Sequence, residues 1–263
     1  DEVQDRIYVG AHAGGMMVLH RKSGYIEYYN RHNSNLPSNN IYSIISDGYG
    51  GLWVASLEYL LHFDIDKRNF TIVDVDGDGH KLQQYNRLLF CDSKKRIWAG
   101  GEMGISVFNQ VGTSLLPNTD FQIASVLKQA FVNCFYETSS GYLWIGTRNG
   151  LFALKESDKQ FLQYTTENGL PSNVIYGILE DAYGRLWIST NQGLSCLNSE
   201  SGKFRNFTIM DGLQGNQFNA GAYCRKDNGY MLFGGVNGIT SFRPETLIDN
   251  PYAPKPVINK LFV

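Results

Sequence analysis

The chain has 263 residues, 13% of them aromatic, with 28 glycines against 7 prolines and 23 basic residues against 25 acidic. That mixture suits many short strands joined by tight turns, because aromatic side chains pack on pleated surfaces and glycine accepts positive φ. A net charge of −2 lacks the basic footprint of a nucleic-acid binder, and no apolar run is long enough to span a bilayer as a helix.

The segment Asp1-Glu2-Val3-Gln4 is no signal peptide. From there a pattern recurs along the chain. It starts weakly at Arg6-Ile7-Tyr8-Val9-Gly10-Ala11 and sharpens to Gly51-Leu52-Trp53-Val54-Ala55-Ser56 and Arg96-Ile97-Trp98-Ala99-Gly100-Gly101. It continues as Tyr142-Leu143-Trp144-Ile145-Gly146-Thr147 and Arg185-Leu186-Trp187-Ile188-Ser189-Thr190, then fades at Tyr230-Met231-Leu232-Phe233-Gly234-Gly235. These copies hold every tryptophan, and their third residues are spaced by 45, 45, 46, 43 and 45. Glycine precedes that column by three residues at Gly50, Gly141, Gly184 and Gly229, and follows it by six at Gly14, Gly104, Gly150, Gly193 and Gly238. Pro37-Ser38-Asn39-Asn40-Ile41-Tyr42 aligns without a gap to Pro171-Ser172-Asn173-Val174-Ile175-Tyr176, at the 134-residue interval that separates Trp53 from Trp187. A fixed period of this length is the signature of stacked repeats.

Within each period, β-rich runs alternate with Gly or Asp turns, which predicts antiparallel hairpins. In the second repeat the strands are Ile41–Ser46, Leu52–Ser56, Leu60–Asp64 and Asn69–Val73. A lone four-stranded sheet leaves its apolar faces open, so the copies should stack radially with the aromatic column between them. The predicted fold is all-β: a β-propeller of four-stranded antiparallel blades over residues 1–249, with six repeats visible. Asp1 falls inside the first hairpin, which places the innermost strand of blade one outside the chain. Residues 250–263 read as a linker, Pro251 to Pro256, and a first strand, Val257–Val263.

Little in the sequence points to catalysis. Cys91, Cys134, Cys196 and Cys224 form no CxxC pair and read as free thiols buried in strands. Asp74, Asp76, Asp78 and Gly79 begin like a calcium loop, but Tyr85 stands where the bidentate glutamate belongs, so an acidic solvated turn is expected. The five histidines share no metal-ligand spacing, and no nucleophile elbow or phosphate-cradling loop occurs. Neither metal nor cofactor is expected. Acidic residues such as Glu58 and Glu102 leave a glycosidase or lyase as a third reading.

The blocks 39–64 and 173–197 resemble the repeat of the two-component regulator propeller family: asparagine, apolar strand, Asp-x-x-Gly-x-Leu-Trp-Ile-Gly-Thr, Gly-Leu. Gly212 to Asn219, with Phe233 to Ile239 and Phe242-Arg243-Pro244-Glu245, resembles the last blade of that family, which precedes a small β-sandwich, the triple-tyrosine domain. Lys255-Pro256-Val257-Ile258 resembles the start of that domain, whose body is absent. Tyr59, Lys95 and Lys226 depart from the family pattern, which has Gly, Gly and Asp there. The resemblance implies the periplasmic sensor region of a membrane-bound hybrid histidine kinase of Bacteroidetes. It further implies an oligosaccharide ligand, dimerisation of the full receptor, membrane attachment only through absent segments, and membership of a seven-bladed propeller. The domain itself would be non-catalytic. A protein-interaction platform without a small ligand is the alternative.

Loops on a rigid scaffold commonly carry function. The turns between second and third strands hold His12, Glu58, Tyr59, Glu102, Arg148, Asn149, Asn191, Gln192 and Asn237, and the blade-to-blade loops add Asn39, Asn86, Asn133, Asn173 and Asn219. Amides and a stacking aromatic suit polyhydroxylated sugars. For the asparagines, turn chemistry is the competing reading, whereas Tyr59, Glu58 and Arg148 break the repeat without serving a turn.

Overall fold

The computed structural model describes residues 2–3, 5–56, 59–73, 86–120, 122–155 and 160–247. Blade one is β1 (Glu2–Val3), β2 (Arg6–Ala11), β3 (Gly15–His20) and β4 (Ile26–Tyr29). Blade two is β5 (Ile41–Ser46), β6 (Gly51–Ser56), β7 (Leu60–Asp64) and β8 (Asn69–Ile72). Blade three is β9 (Asn86–Cys91), β10 (Arg96–Gly101), β11 (Gly104–Val111) and β12 (Ser114–Pro117). Blade four is β13 (Val132–Glu137), β14 (Tyr142–Thr147), β15 (Gly150–Lys155) and β16 (Gln160–Tyr164). Blade five is β17 (Ile175–Glu180), β18 (Leu186–Thr190), β19 (Gly193–Asn198) and β20 (Lys203–Phe207). Blade six shows β21 (Phe218–Arg225), β22 (Met231–Gly235) and β23 (Gly238–Phe242).

Blade one corrects one expectation. Glu2 and Val3 pair with Ile7 and Arg6, so the end of its innermost strand lies within the chain. The tail 250–263 and the acidic turn 74–79 lie outside the described residues.

The aromatic column fills the seams between blades. Tyr8 packs with Ile41, Leu52 and Phe63 of blade two, and Trp53 with Leu89, Ile97 and Phe108 of blade three. Trp98 meets Phe135, Leu143 and Ile145 of blade four. Trp144 meets Ile175 and Ile188 of blade five, and Trp187 meets Phe218 and Phe233 of blade six. All four tryptophans are buried. Between blades three and four a short helix, α1 (Gln122–Val126), adds Ile123 to the same seam. The repeat pattern carries no signal for it.

The turn before three of the four tryptophans is built on an aspartate. Asp92 accepts the backbone N–H groups of Lys94 and Arg96 at 3.0 and 2.9 Å, Arg96 Nε at 2.6 Å and the Trp98 indole N–H at 2.8 Å. Asp181 does the same for Tyr183, Arg185 and Trp187. Blade four has Thr138 and Tyr142 in place of the Asp and Arg, and the Trp144 indole N–H is left without an acceptor. In blade two His62 Nε2 lies 2.7 Å from Asp47 Oδ2, and the Trp53 N–H is the group left over.

The glycine column one turn earlier answers a backbone demand. Gly50, Gly141, Gly184 and Gly229 have φ of 94°, 80°, 74° and 85°, and Lys95 takes the same place at 63°. Holding a side chain in this region costs about 1–3 kcal/mol. Lys95→Gly should therefore stabilise the protein by about 1 kcal/mol, read as a higher urea midpoint at unchanged slope. No gain would show that Lys95 makes a compensating native interaction. In the second glycine column, blade one differs: Gly15, not Gly14, has the positive φ, because Ala13 also enters the left-handed region and lengthens the turn.

Candidate functional site

The inner strands share a defect at one end. The β5–β6 pairing shifts register between Ile41 and Ser43, β13–β14 between Val132 and Cys134, and β17–β18 between Ile175 and Gly177. In β9, Asn86 faces Gly101 and Leu88 faces Gly100, so Arg87 is the extra residue; in β21 the irregularity runs from Phe218 to Tyr223. A bulge leaves its added residue outside the ladder and re-aims it. Tyr42, Arg87, Asn133 and Tyr176 are those residues. Each lies where its strand opens, opposite the end of the neighbouring strand, as Ile41 lies opposite Ser56. This is the mouth that also carries the turns between second and third strands.

Several of these groups touch across blades. The His12 ring centroid is 6.3 Å from that of Tyr42, and the Arg87 guanidinium sits 5.2 Å from the same Tyr42 ring. Arg87 Nη2 then pairs with Glu102 Oε1 at 2.6 Å. The result is a continuous row over blades one to three. In blade four the Arg148 guanidinium lies 3.7 Å over the Phe131 ring, a geometry that holds its planar fork in place. Asn133 Nδ2 donates to Ile175 O at 2.8 Å and ties blade four to blade five.

The other residues singled out in the sequence are placed as follows. Tyr59 is half-buried against the cluster of Tyr8, Leu36 and Val54, and its carbonyl accepts from Ser56 N–H at 2.9 Å. Asn149 and Gln192 are exposed, and their backbone N–H groups donate to Thr147 Oγ1 and Thr190 Oγ1 at 2.9 and 3.0 Å. Asn191 is half-buried, with Oδ1 shielded from solvent and unpaired. Asn237 is exposed and donates its N–H to Gln214 Oε1 at 2.9 Å. Glu58 lies outside the described residues.

Asparagines of the blade-to-blade loops serve the backbone. Asn39 and Asn173 Oδ1 accept the N–H of Arg31 and Thr166 at 2.9 and 2.8 Å, while their carbonyls accept Gly15 and Gly150 N–H. In blade six this role falls to Asn216, which accepts Ile209 N–H at 2.8 Å, rather than to Asn219. Tyr42, Arg87, Phe131 and Tyr176 are the mouth residues that sequence reasoning missed. The shared tyrosine closing the 37–42 and 171–176 alignment was the available signal.

All four cysteines are free, but only Cys134 and Cys196 are buried; Cys91 is half-buried and Cys224 exposed. Burial pushes the Cys134 thiol up to about 12 and Cys196 to about 11, which keeps both protonated and unreactive at neutral pH. Iodoacetamide at pH 8 should label Cys224 and spare both of these; peptide mass mapping reads the outcome. Among the described residues no group of three His, Cys, Asp or Glu side chains is placed to hold a metal.

The sheets and their seams define the class: a six-bladed β-propeller of antiparallel blades, five of them four-stranded and the sixth three-stranded among the described residues. Three of its segments, residues 35–58, 127–149 and 169–192, match the repeat model of the two component regulator propeller family. The chain is 29% identical over 206 residues to histidine kinase P4 of Formosa agariphila, a match that covers 75% of the chain and 15% of that protein. Among solved structures it resembles the extracellular domain assigned to a hybrid two component system of B. thetaiotaomicron, with TM-score 0.70, 21% identity, 93% of this chain and 38% of that one. It also resembles PorZ of Porphyromonas gingivalis, a component of the type-IX secretion system, with TM-score 0.72, 15% identity, 91% and 37%. A streptogramin B lyase shares the fold at 13% identity and TM-score 0.62, covering 87% of this chain and 72% of that one. The chain thus spans less than half the length of the first three of these proteins.

Proposed function

We propose that this propeller is the periplasmic sensor of a membrane-bound two-component regulator and binds an oligosaccharide at the bulged mouth. The observation that supports the reading is the set of inner-strand bulges, which gathers Tyr42, Arg87, Asn133 and Tyr176 beside the second-to-third turns. Aromatic faces, a guanidinium and amides offer stacking together with donors and acceptors, which a sugar requires. Sensing needs only that a ligand prefer one of two states. The signal would leave through the C-terminal side to a kinase in the rest of the receptor, acting as a dimer, and the propeller itself would be non-catalytic. A hydrolase reading is weakened because Glu102 is engaged by Arg87 at 2.6 Å.

Thermal-shift screening against plant and host oligosaccharides tests this. One glycan should raise Tm saturably, and Tyr42→Ala or Arg148→Ala should weaken its binding about ten-fold while leaving the ligand-free Tm within a degree or two. A response that survives both substitutions would place the site elsewhere. A folded sample that answers no glycan would favour the protein-docking platform.

A further inference from the structure

A cavity of about 580 Å³ opens on the opposite face, beside the turns between first and second strands, lined by Ile45, Leu89, Phe90, Cys91, Lys95 and Glu137 among others. Its origin is local. Ser93 donates its N–H and Oγ–H to the two oxygens of Glu137, both at 2.6 Å, and clamps blade three to blade four. Ser139 clamps blade four to blade five through Glu180, both at 3.0 Å. At the seam of blades two and three the equivalent positions are Gly48 and Cys91. Glycine has no side chain to donate, so the seam stays open over the apolar walls of Ile45, Leu89 and Phe90.

The polar groups of the cavity are nearly all committed. Asp47 holds its own turn and His62, Asp92 holds Arg96 and Trp98, and Glu137 holds Ser93. Lys95 is the exception. It is exposed, it occupies a left-handed backbone position that four other blades give to glycine, and its ammonium has no ion-pair partner among the described residues. Its backbone N–H closes the turn onto Asp92 O at 2.9 Å, as Gly141 and Gly184 do in blades four and five, so the turn needs the backbone of this residue and leaves its side chain free for another role.

We infer that this cavity is a second binding site, separate from the mouth, for a small ligand with an apolar body and an anionic head held by Lys95. The volume falls in the range of small-molecule sites, and apolar walls with one placed charge are their usual composition.

The test uses 2-naphthoate and its neutral counterpart 2-naphthamide, titrated into the 263-residue chain by ligand-observed NMR. The naphthoate should bind saturably and at least ten-fold more tightly than the amide. Lys95→Gly, which relieves the turn and therefore preserves folding, should remove that ten-fold preference. Bound naphthoate should also slow alkylation of Cys91 while leaving Cys224 unaffected. Equal binding of acid and amide, unchanged binding in Lys95→Gly, or no protection of Cys91 would each overturn the assignment. The outcome is independent of any oligosaccharide response at the mouth.

Discussion

Replacing Asp181 by alanine should lower the unfolding free energy by about 3 kcal/mol, measured by urea denaturation. This one buried carboxylate accepts from Tyr183 N at 2.9 Å, Arg185 N at 3.0 Å, Arg185 Nε at 2.7 Å and Trp187 Nε1 at 2.9 Å. Its removal leaves a buried indole N–H and two turn amides without their acceptor. The Arg185 side chain is 31% exposed, so solvent takes up part of its charge, which keeps the expected loss at the lower end for a broken buried pair. Blade four supplies the control. There Thr138 and Tyr142 replace the aspartate and arginine and no charge is stranded. Asp181→Thr combined with Arg185→Tyr should therefore cost clearly less than the sum of the single changes. Strict additivity would mean that the Asp–Arg pair is not the unit that holds the turn.

Gly177→Val should be comparably severe, about 3 kcal/mol or more. A Cβ at Gly177 would lie 2.2 Å from Cδ1 and 2.7 Å from Cε1 of Tyr223. The backbone there is ordinary, so the glycine is needed for space alone. Tyr223 belongs to the clusters on both sides of blade five, packing with Cys134 and Ile178 on one and Leu179 and Phe218 on the other. Burial there holds its phenol well above the usual tyrosine range. The ring has nowhere to retreat, and valine would drive blade six from blade five. Tyr223→Ala in the Gly177→Val background should recover part of the loss. A well-folded Gly177→Val protein at wild-type stability would show that this seam yields without cost.

The blades were legible because their information is short-range. The tryptophan column, the Asp turn and the left-handed glycines each act within about ten residues, and they repeat. The surroundings of single loop residues are set instead by long-range partners. Tyr59 interrupts a glycine column and so reads as a mouth residue, and it is half-buried against Tyr8 of blade one and Leu36 of the loop that follows it. Asn39 and Asn173 admit both a ring role and turn chemistry from the sequence, and their side chains accept from the backbone of Arg31 and Thr166.

From the residue order alone follow the propeller, the number of visible repeats, the seam-filling role of the aromatic column and the family likeness. The first three rest on periodicity and local turn chemistry, and the likeness on motifs that resemble those of a known family. The mouth and the cavity are different in kind. Which inner-strand residues reach the mouth depends on bulges, and a bulge exists only as a mismatch between two paired strands. The cavity exists because Gly48 and Cys91, 43 positions apart in the chain, meet at one seam and cannot form the clamp that Ser93 and Glu137 form at the next. Such pairings are settled when blades pack, and no single repeat contains them.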